Sequence, residues 1–254
     1  MQKKILTIIL PTFNSAKYLH FFLNSLQQQS FKSFQIYVAD NKSSDQTLKI
    51  INKYFNFCTK IISRSDKSFE NGVNKCLKKI NTKYFCIFGS DDVLGEKNYL
   101  KNLIAILNKK NCSVVFPQFG VIEKLIKRKV LQTKDFNHIN YKTILPGIGW
   151  IAKTEVLNSH YFNENIEVAS DYDFLIRLLK KNHKFIRVAN AIYYFRLGTG
   201  TSYKKVYKGF VEQKNISIQN KGPLFKIYTL FLISYIKFFL KDKILKIFFL
   251  KYKM

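Results

Sequence analysis

The chain has 254 residues, enough for one large α/β domain, and neither an internal repeat nor a Pro/Gly-rich linker divides it. Its 43 Lys+Arg against 16 Asp+Glu leave a formal net charge of +27. Arginine occurs only as Arg64, Arg128, Arg177, Arg187 and Arg196, so the planar forks that read nucleic acid are scarce, and with no nucleic-acid fold signature present, no nucleic-acid partner is expected.

Ile5-Leu6-Thr7-Ile8-Ile9-Leu10 is a continuous apolar run, which predicts a buried strand broken by Pro11 and a polar turn, Thr12-Phe13-Asn14-Ser15. From Ala16 the spacing becomes helical, with Leu19, Phe22, Leu23 and Leu26 on one face. A second strand, Phe34 to Ala39, ends on Asp40 and opens Asn41-Lys42-Ser43-Ser44-Asp45 before a helix carrying Leu48, Ile51 and Tyr54. A short strand at Lys60-Ile61-Ile62 precedes a helix through Val73, Cys76, Leu77 and Ile80. Strand–helix alternation implies right-handed crossovers and a parallel sheet.

The fourth strand, Phe85-Cys86-Ile87-Phe88, stops at Gly89-Ser90-Asp91-Asp92. Carboxylates at the mouth of a parallel sheet stand where open α/β folds bind ligands, and hard oxygen donors of this kind suit Mg²⁺ or Mn²⁺ carrying a phosphate substrate. An acidic turn closing a strand is the plainer alternative. Further on come a short strand at Cys112 to Phe116, a lysine-rich connector from Lys124 to Lys134, and Pro146-Gly147-Ile148-Gly149-Trp150. Gly149 and Trp150, the only tryptophan, are candidates for holding a ligand, since an indole offers a large apolar stacking face, with core packing of the indole as the alternative. Ser170-Asp171-Tyr172-Asp173 opens an apolar helix, where Ser170 and Asp173 could form a capping box.

The tail combines apolar and basic residues: Leu224 to Ile236 is almost wholly apolar or aromatic apart from Lys226, and lysines from Lys237 to Lys253 punctuate the rest. The uncharged stretch is shorter than the roughly 20 residues that span a bilayer. It predicts a basic amphipathic helix lying on an anionic membrane surface. Packing on the preceding α/β domain and a homodimer contact are the alternatives. Cys58, Cys76, Cys86 and Cys112 have neither zinc nor redox spacing and read as reduced thiols, and the four histidines show no paired spacing. The N-terminal apolar run is too short for a signal peptide, so a cytoplasmic location is expected.

These motifs, in this order, resemble the family 2 glycosyltransferases. Leu10-Pro11-Thr12-Phe13-Asn14 is similar to the family's P-T-Y-N turn. Val38 to Thr47 is similar to V-V-D-D-G-S-T-D-G-T, with Asn41 and Lys42 replacing the second Asp and the Gly. Asp66-Lys67-Ser68-Phe69-Glu70-Asn71-Gly72-Val73-Asn74-Lys75 is similar to D-K-G-I-Y-D-A-M-N-K. Asp91-Asp92 resembles the D-x-D-type metal motif, and Ala169 to Phe174 resembles A-S-D-Y-D-F. The resemblance runs from about Leu6 to Ser202. It departs at Gly89, where many members carry Asp, at Ser68 and Cys76, where Gly is usual, and at Gly198 to Ser202, whose G-G-x-S-like loop lacks a His.

The resemblance implies an α/β GT-A fold: a Rossmann-like, mostly parallel sheet flanked by helices, with an amphipathic helical tail. The domain would span residues 1–205, as a nucleotide-sugar half (1–115) and an acceptor half (116–205), with the tail at 206–254. It further implies an inverting, metal-dependent transfer from a nucleoside-diphosphate sugar, expected to be a UDP-sugar, to a hydroxyl of a surface glycan or lipid-linked precursor. Pro11, Thr12, Phe13, Asn14, Asp40, Asp66, Glu70, Asn74, Lys75 and Asp91 would bind the donor, Gly149 and Trp150 would contact the acceptor, with the indole stacked on a sugar, Asp92 would hold Mn²⁺ or Mg²⁺, and Asp171 would be the general base. The competing expectation, suggested by Gly89 and the altered glycines, is a catalytically silent sugar-nucleotide- or glycan-binding subunit.

Overall fold

The computed structural model describes residues 3–55, 59–63, 66–123, 127–130, 147–158, 161–198 and 205–236. Its first half alternates as the apolar pattern predicts: β1 (Leu6–Thr12), α1 (Ala16–Gln27), β2 (Phe34–Asp40), α2 (Thr47–Phe55), β3 (Thr59–Ser63), α3 (Phe69–Leu77) and β4 (Tyr84–Ile87). These four strands pair in parallel, with Leu6 opposite both Phe34 and Tyr84, so that Thr12, Asp40 and the residues after Ile87 emerge along one edge. β1 does not end at Pro11 but runs on to Thr12. Its register with β4 stops at Ile9, so an imide nitrogen without a proton costs no ladder bond there.

The second half comprises β5 (Val93–Leu94), α4 (Tyr99–Lys109), β6 (Val114–Glu123), β7 (Lys127–Val130), β8 (Ile151–Lys153), a 3₁₀ turn (Thr154–Asn158), α5 (Ser170–Lys180), β9 (Phe185–Arg196) and α6 (Val206–Gln219), with residues 224–236 also helical. The strands join one sheet in the order β3-β2-β1-β4-β8-β6-β9-β5, with β7 on β6. This half is mixed rather than parallel: β8 runs antiparallel to both β4 and β6, and β5 antiparallel to β9. β8 follows the 147–149 segment back from the polar edge, which requires the reversed direction.

Large aromatics fill the core between the halves. Trp150, a candidate acceptor contact, is fully buried; its indole stacks on Phe174 at 5.8 Å and meets Phe85 edge-on, and its Nε1 donates to the Gly147 carbonyl. That corrects the sugar-stacking expectation, because one face and an edge of the ring are taken by core side chains. Gly149 is corrected likewise: it is buried at φ +95°, and a Cβ there would lie 2.7 Å from the Tyr193 ring, so it is glycine for backbone reasons.

The boundary expected at residue 205 also needs revision. α6 packs on α5: Tyr172 Oη and Ser217 Oγ are 2.9 Å apart, and Gly209 brings the helix against Val168. Residues 206–219 thus pack on α5, and the exposed apolar helix begins at 224. Of the cysteines, Cys76, Cys86 and Cys112 are buried thiols, while Cys58 lies outside the described residues. Most of the connector (124–126 and 131–134), the G-G-x-S-like loop after Gly198 and the lysines from 237 onward are also outside them.

Candidate active site

The polar edge of the parallel half is knitted by side chains from four sequence-distant turns. Asp40, at the end of β2, is fully buried: its Oδ1 accepts from Thr12 Oγ1 (2.8 Å) and Ser43 Oγ (2.6 Å), and its Oδ2 accepts from Ser43 N (2.9 Å). This carboxylate, which the resemblance puts among the donor-binding residues, pins the β1 and β2 turns to each other. Asn14, at φ +48°, accepts from Ser44 N through Oδ1. Lys42 sits at φ +53°, the left-handed region where the family's Gly would be at ease. The Asp66 backbone N–H donates to Asn41 Oδ1 at 2.9 Å, and Ser90 Oγ donates to Ser15 Oγ at 2.8 Å, tying the Asp91 loop to the β1 turn. Phe13 projects from this edge 61% exposed, an aromatic face offered to solvent beside the turn.

The two adjacent carboxylates have different surroundings. Asp92 is 4% exposed and turned into the protein, its Oδ2 accepting from Tyr193 Oη (2.6 Å) and its Oδ1 from Arg196 N (3.0 Å). Burial, then the neighbouring Asp91 charge, raises its pKa to about 7. A Cβ at residue 89 would lie 2.2 Å from Asp92 Oδ2, so Gly89 is what lets this carboxylate fold back. The assignment of the metal to Asp92 is therefore revised: its oxygens already lock β9 to the end of β4. Asp91 is half-buried, and Arg196 Nε donates to its carbonyl at 3.1 Å.

The α3 residues split in the same way. Asp66 Oδ1 pairs with Lys75 Nζ at 2.6 Å at the edge, and Gly72 leaves the room the other oxygen occupies. Asn74 is buried and spent on the 162–164 segment, bonding both the N–H and the carbonyl of Phe162 and Glu164 Oε1. Glu70 is 1% exposed and accepts from Ser170 Oγ at 2.6 Å, so Glu70 and Asn74, expected among the donor-binding residues, are turned toward the 162–170 segment. Ser68 is extended at φ −157° and caps α3 by accepting from Asn71 N, and Cys76 is simply core; neither position requires the family's glycine.

Asp171 lies in the first turn of α5. The capping-box alternative fails locally, since the N-cap is Ala169, Ser170 bonds Glu70, and Asp173 pairs with Arg177 at 2.8 Å. Asp171 Oδ1 accepts from Tyr172 N, while Oδ2 lies where a side chain on Gly147 would be, 1.1 Å from its ideal Cβ. Burial, with the Glu70 and Glu212 charges adding to it, raises its pKa from 3.8 to about 6. A carboxylate whose proton affinity approaches neutrality is fitted to take and release a proton. Two residues past Gly147, Gly149 N donates to Ile87 O at the end of β4, so one short segment connects the Asp91 strand end to Asp171. Gly147, Ser43, Tyr193 and Arg196 were not singled out from sequence. Gly147 lies in the Pro146–Trp150 run, but nothing local marks it over Gly149; the others carry no motif.

The model of the family described as glycosyl transferase family 2 matches residues 7–177. Over 239 residues the chain is 28% identical to a teichoic acid poly(glycerol phosphate) polymerase of Staphylococcus epidermidis, covering 88% of the chain but 32% of that protein. It spans about a third of the length of the first relatives it matches, another being the poly(ribitol-phosphate) β-N-acetylglucosaminyltransferase TarS of Staphylococcus aureus at 28% identity (74% of the chain, 35% of TarS). The Escherichia coli UDP-Glc:α-D-GlcNAc-diphosphoundecaprenol β-1,3-glucosyltransferase WfgD is 23% identical over 93% of the chain and 94% of its own length. Among solved structures, S. aureus TarS 1–349 with UDP-GlcNAc superposes at TM-score 0.69 and 24% identity (84% of the chain, 66% of the other), and the Pyrobaculum calidifontis mannosyltransferase PcManGT with GDP-Man and Mn²⁺ at 0.69 and 14% (91% and 70%). Those likenesses establish the GT-A fold. A family match that begins in β1 and runs through α5 takes in both the strand-end carboxylates and Asp171, and the chain belongs to glycosyl transferase family 2.

Proposed function

We propose that the chain transfers a sugar from a UDP-sugar to a hydroxyl of a surface glycan or lipid-linked glycan precursor, with inversion at the anomeric carbon. The observation that carries this reading is the half-buried Asp171 carboxylate, set in the space beside Gly147 and joined through the 147–149 segment to the carboxylate-bearing end of β4. The donor belongs on the polar edge, where the Pro11–Asn14 turn, exposed Phe13 and the Asp66–Lys75 pair meet. UDP as carrier is supported by the UDP and UDP-GlcNAc complexes of TarS, and the acceptor class by the names of the relatives. Those names give β-linked products, WfgD from UDP-Glc, which fits one displacement assisted by one base.

The donor set fits a divalent ion that arrives with the diphosphate. No group of three or more His, Cys, Asp or Glu able to hold an ion stands together among the described residues, and with Asp92 turned inward Asp91 remains as its carboxylate ligand. When bound, Mn²⁺ or Mg²⁺ would supply positive charge to the departing diphosphate. Asp171 accepts the proton of the acceptor hydroxyl as that oxygen attacks. Asp91→Asn is expected to weaken UDP binding at least about tenfold in the presence of Mn²⁺ and little in its absence, read by calorimetry. Equal affinity of parent and variant with Mn²⁺ would remove Asp91 from the site.

The helix over residues 224–236 carries the membrane part of the reading. No helix among the described residues is long and apolar enough to cross a membrane. This one turns Ile227 inward and leaves Phe225 84% exposed, with Tyr228, Leu232 and Ile236 also exposed. Those positions repeat at helical spacing and form an apolar stripe that suits an interfacial helix followed by lysines. Phe225→Glu with Leu232→Glu should release the protein from sedimenting anionic vesicles while leaving transfer to a soluble acceptor unchanged. Retention on vesicles, or a shift only in dimer mass, would reject the membrane role.

A further inference from the structure

We propose that Glu212, on α6, is the positioning residue for Asp171. The inference rests on the assignment of Asp171 as base and extends it to a helix beyond the 7–177 family match.

The first turn of a helix has backbone N–H groups with no partner inside the helix, and a side chain at the N-cap usually satisfies one. α5 begins without that device: its N-cap is Ala169, and no side chain caps it. Instead, a carboxylate from another helix holds the residues that lead into this turn. Glu212 Oε1 accepts from Glu167 N at 3.1 Å, and Oε2 accepts from Val168 N at 2.8 Å and Ala169 N at 3.0 Å. Three consecutive N–H groups leading into Asp171 thus converge on one side chain 41 residues further along the chain. A charge there also suits the positive end of the α5 dipole.

Other contacts keep Glu212 in place. Gly209, one turn earlier on α6, allows the helix to approach Val168, whose Cγ1 would stand 3.0 Å from a Cβ at that position. Lys205 and Lys208 both pair with Glu167, and Tyr172 Oη meets Ser217. α6 therefore grips residues 167, 168, 169 and 172 around the base. Asp171 Oδ2 in turn fills the space that the missing side chain of Gly147 leaves, so its position is set by where the α5 start stands against that segment. A shift of the α5 start is passed directly to the reacting oxygen, and misplacements of about 1 Å at such a point cost on the order of 10²-fold in rate.

The charged groups facing Asp171 are Glu70 from α3 and Glu212 from α6, and both favour its protonated form. Removing the Glu212 charge lowers the proton affinity of Asp171, so the acidic limb of the rate profile moves to lower pH. A carboxylate that only held the fold would lower the melting point without that movement.

The experiment compares Glu212→Ala and Glu212→Gln in the full chain, with kcat and KM for a UDP-sugar measured across pH 4.5–8.5, UDP binding by calorimetry and melting temperature alongside. Expected are a kcat lower by about 10–10²-fold for Glu212→Ala, a smaller loss for Glu212→Gln, whose one remaining acceptor oxygen keeps part of the hold on residues 167–169, unchanged UDP affinity, and an acidic limb displaced downward in both. If Glu212→Ala does not fold, Glu212→Gln carries the test. A kcat within twofold of the parent and an unmoved limb overturn the proposal while Asp171→Asn is inactive. An active Asp171→Asn overturns the base assignment instead, and the role of Glu212 with it.

Discussion

Asp171→Asn is expected to fold, to bind UDP as the parent does, and to transfer sugar about 10²–10⁴-fold more slowly, the usual weight of a general base. The amide keeps the size of the carboxylate in the berth beside Gly147 but cannot accept the acceptor's proton. The parent enzyme should show the same group as a pH limb. Below about 6 the carboxyl is protonated and unable to act, so the rate climbs as pH rises through 6 and levels above it. The stability effect has the opposite sign. Burial raises this carboxyl from 3.8, so between 3.8 and about 6 the folded protein binds a proton that the unfolded chain has released, and this group's contribution to stability falls as pH rises through that window. At neutral pH the Asn variant should therefore melt no lower than the parent. A large fall in melting temperature would show Asp171 to be structural.

Gly147→Ala should cost at least about 10²-fold in kcat through one methyl group. Its Cβ would fall 1.1 Å from Asp171 Oδ2 and 2.0 Å from Cγ, so the carboxylate must rotate away or the α5 start must retreat. The donor edge, built from the turns after β1 and β2 and from Asp66 and Lys75, does not include this contact, and UDP affinity should stay at the parent value. Normal turnover in Gly147→Ala would mean that Asp171 works from a different rotamer. The crystal structure of the variant, showing the carboxylate moved, would connect the lost rate to its cause.

How far the site could be read from sequence depended on how local each contact is. The strand-end positions of Thr12, Asp40 and Asp91 followed from apolar runs that stop at polar residues, because parallel strands in register must release their ends at one edge. Orientation within that edge did not follow. Asp91 and Asp92 are neighbours in sequence, yet Tyr193 and Arg196, about a hundred residues later, decide that Asp92 faces inward. Trp150 carried a chemically sensible expectation of sugar stacking, but Phe85 and Phe174, both remote in sequence, take it into the core. Glu70 and Asn74 lie in a donor-like motif and turn toward the 162–170 segment, which no helical spacing could reveal.

By itself the sequence determined the alternation of strands and helices in the first half, the order of the motifs and the family, since these rest on local periodicity and on residue types at short spacing. The tertiary structure alone decided the antiparallel return of β8, the division of labour between two adjacent carboxylates, and the hold of Glu212 on the segment leading into α5. Those features depend on side chains meeting across 40 to 100 residues of chain, where burial and a limited supply of hydrogen-bond donors, and no periodicity, select the partner.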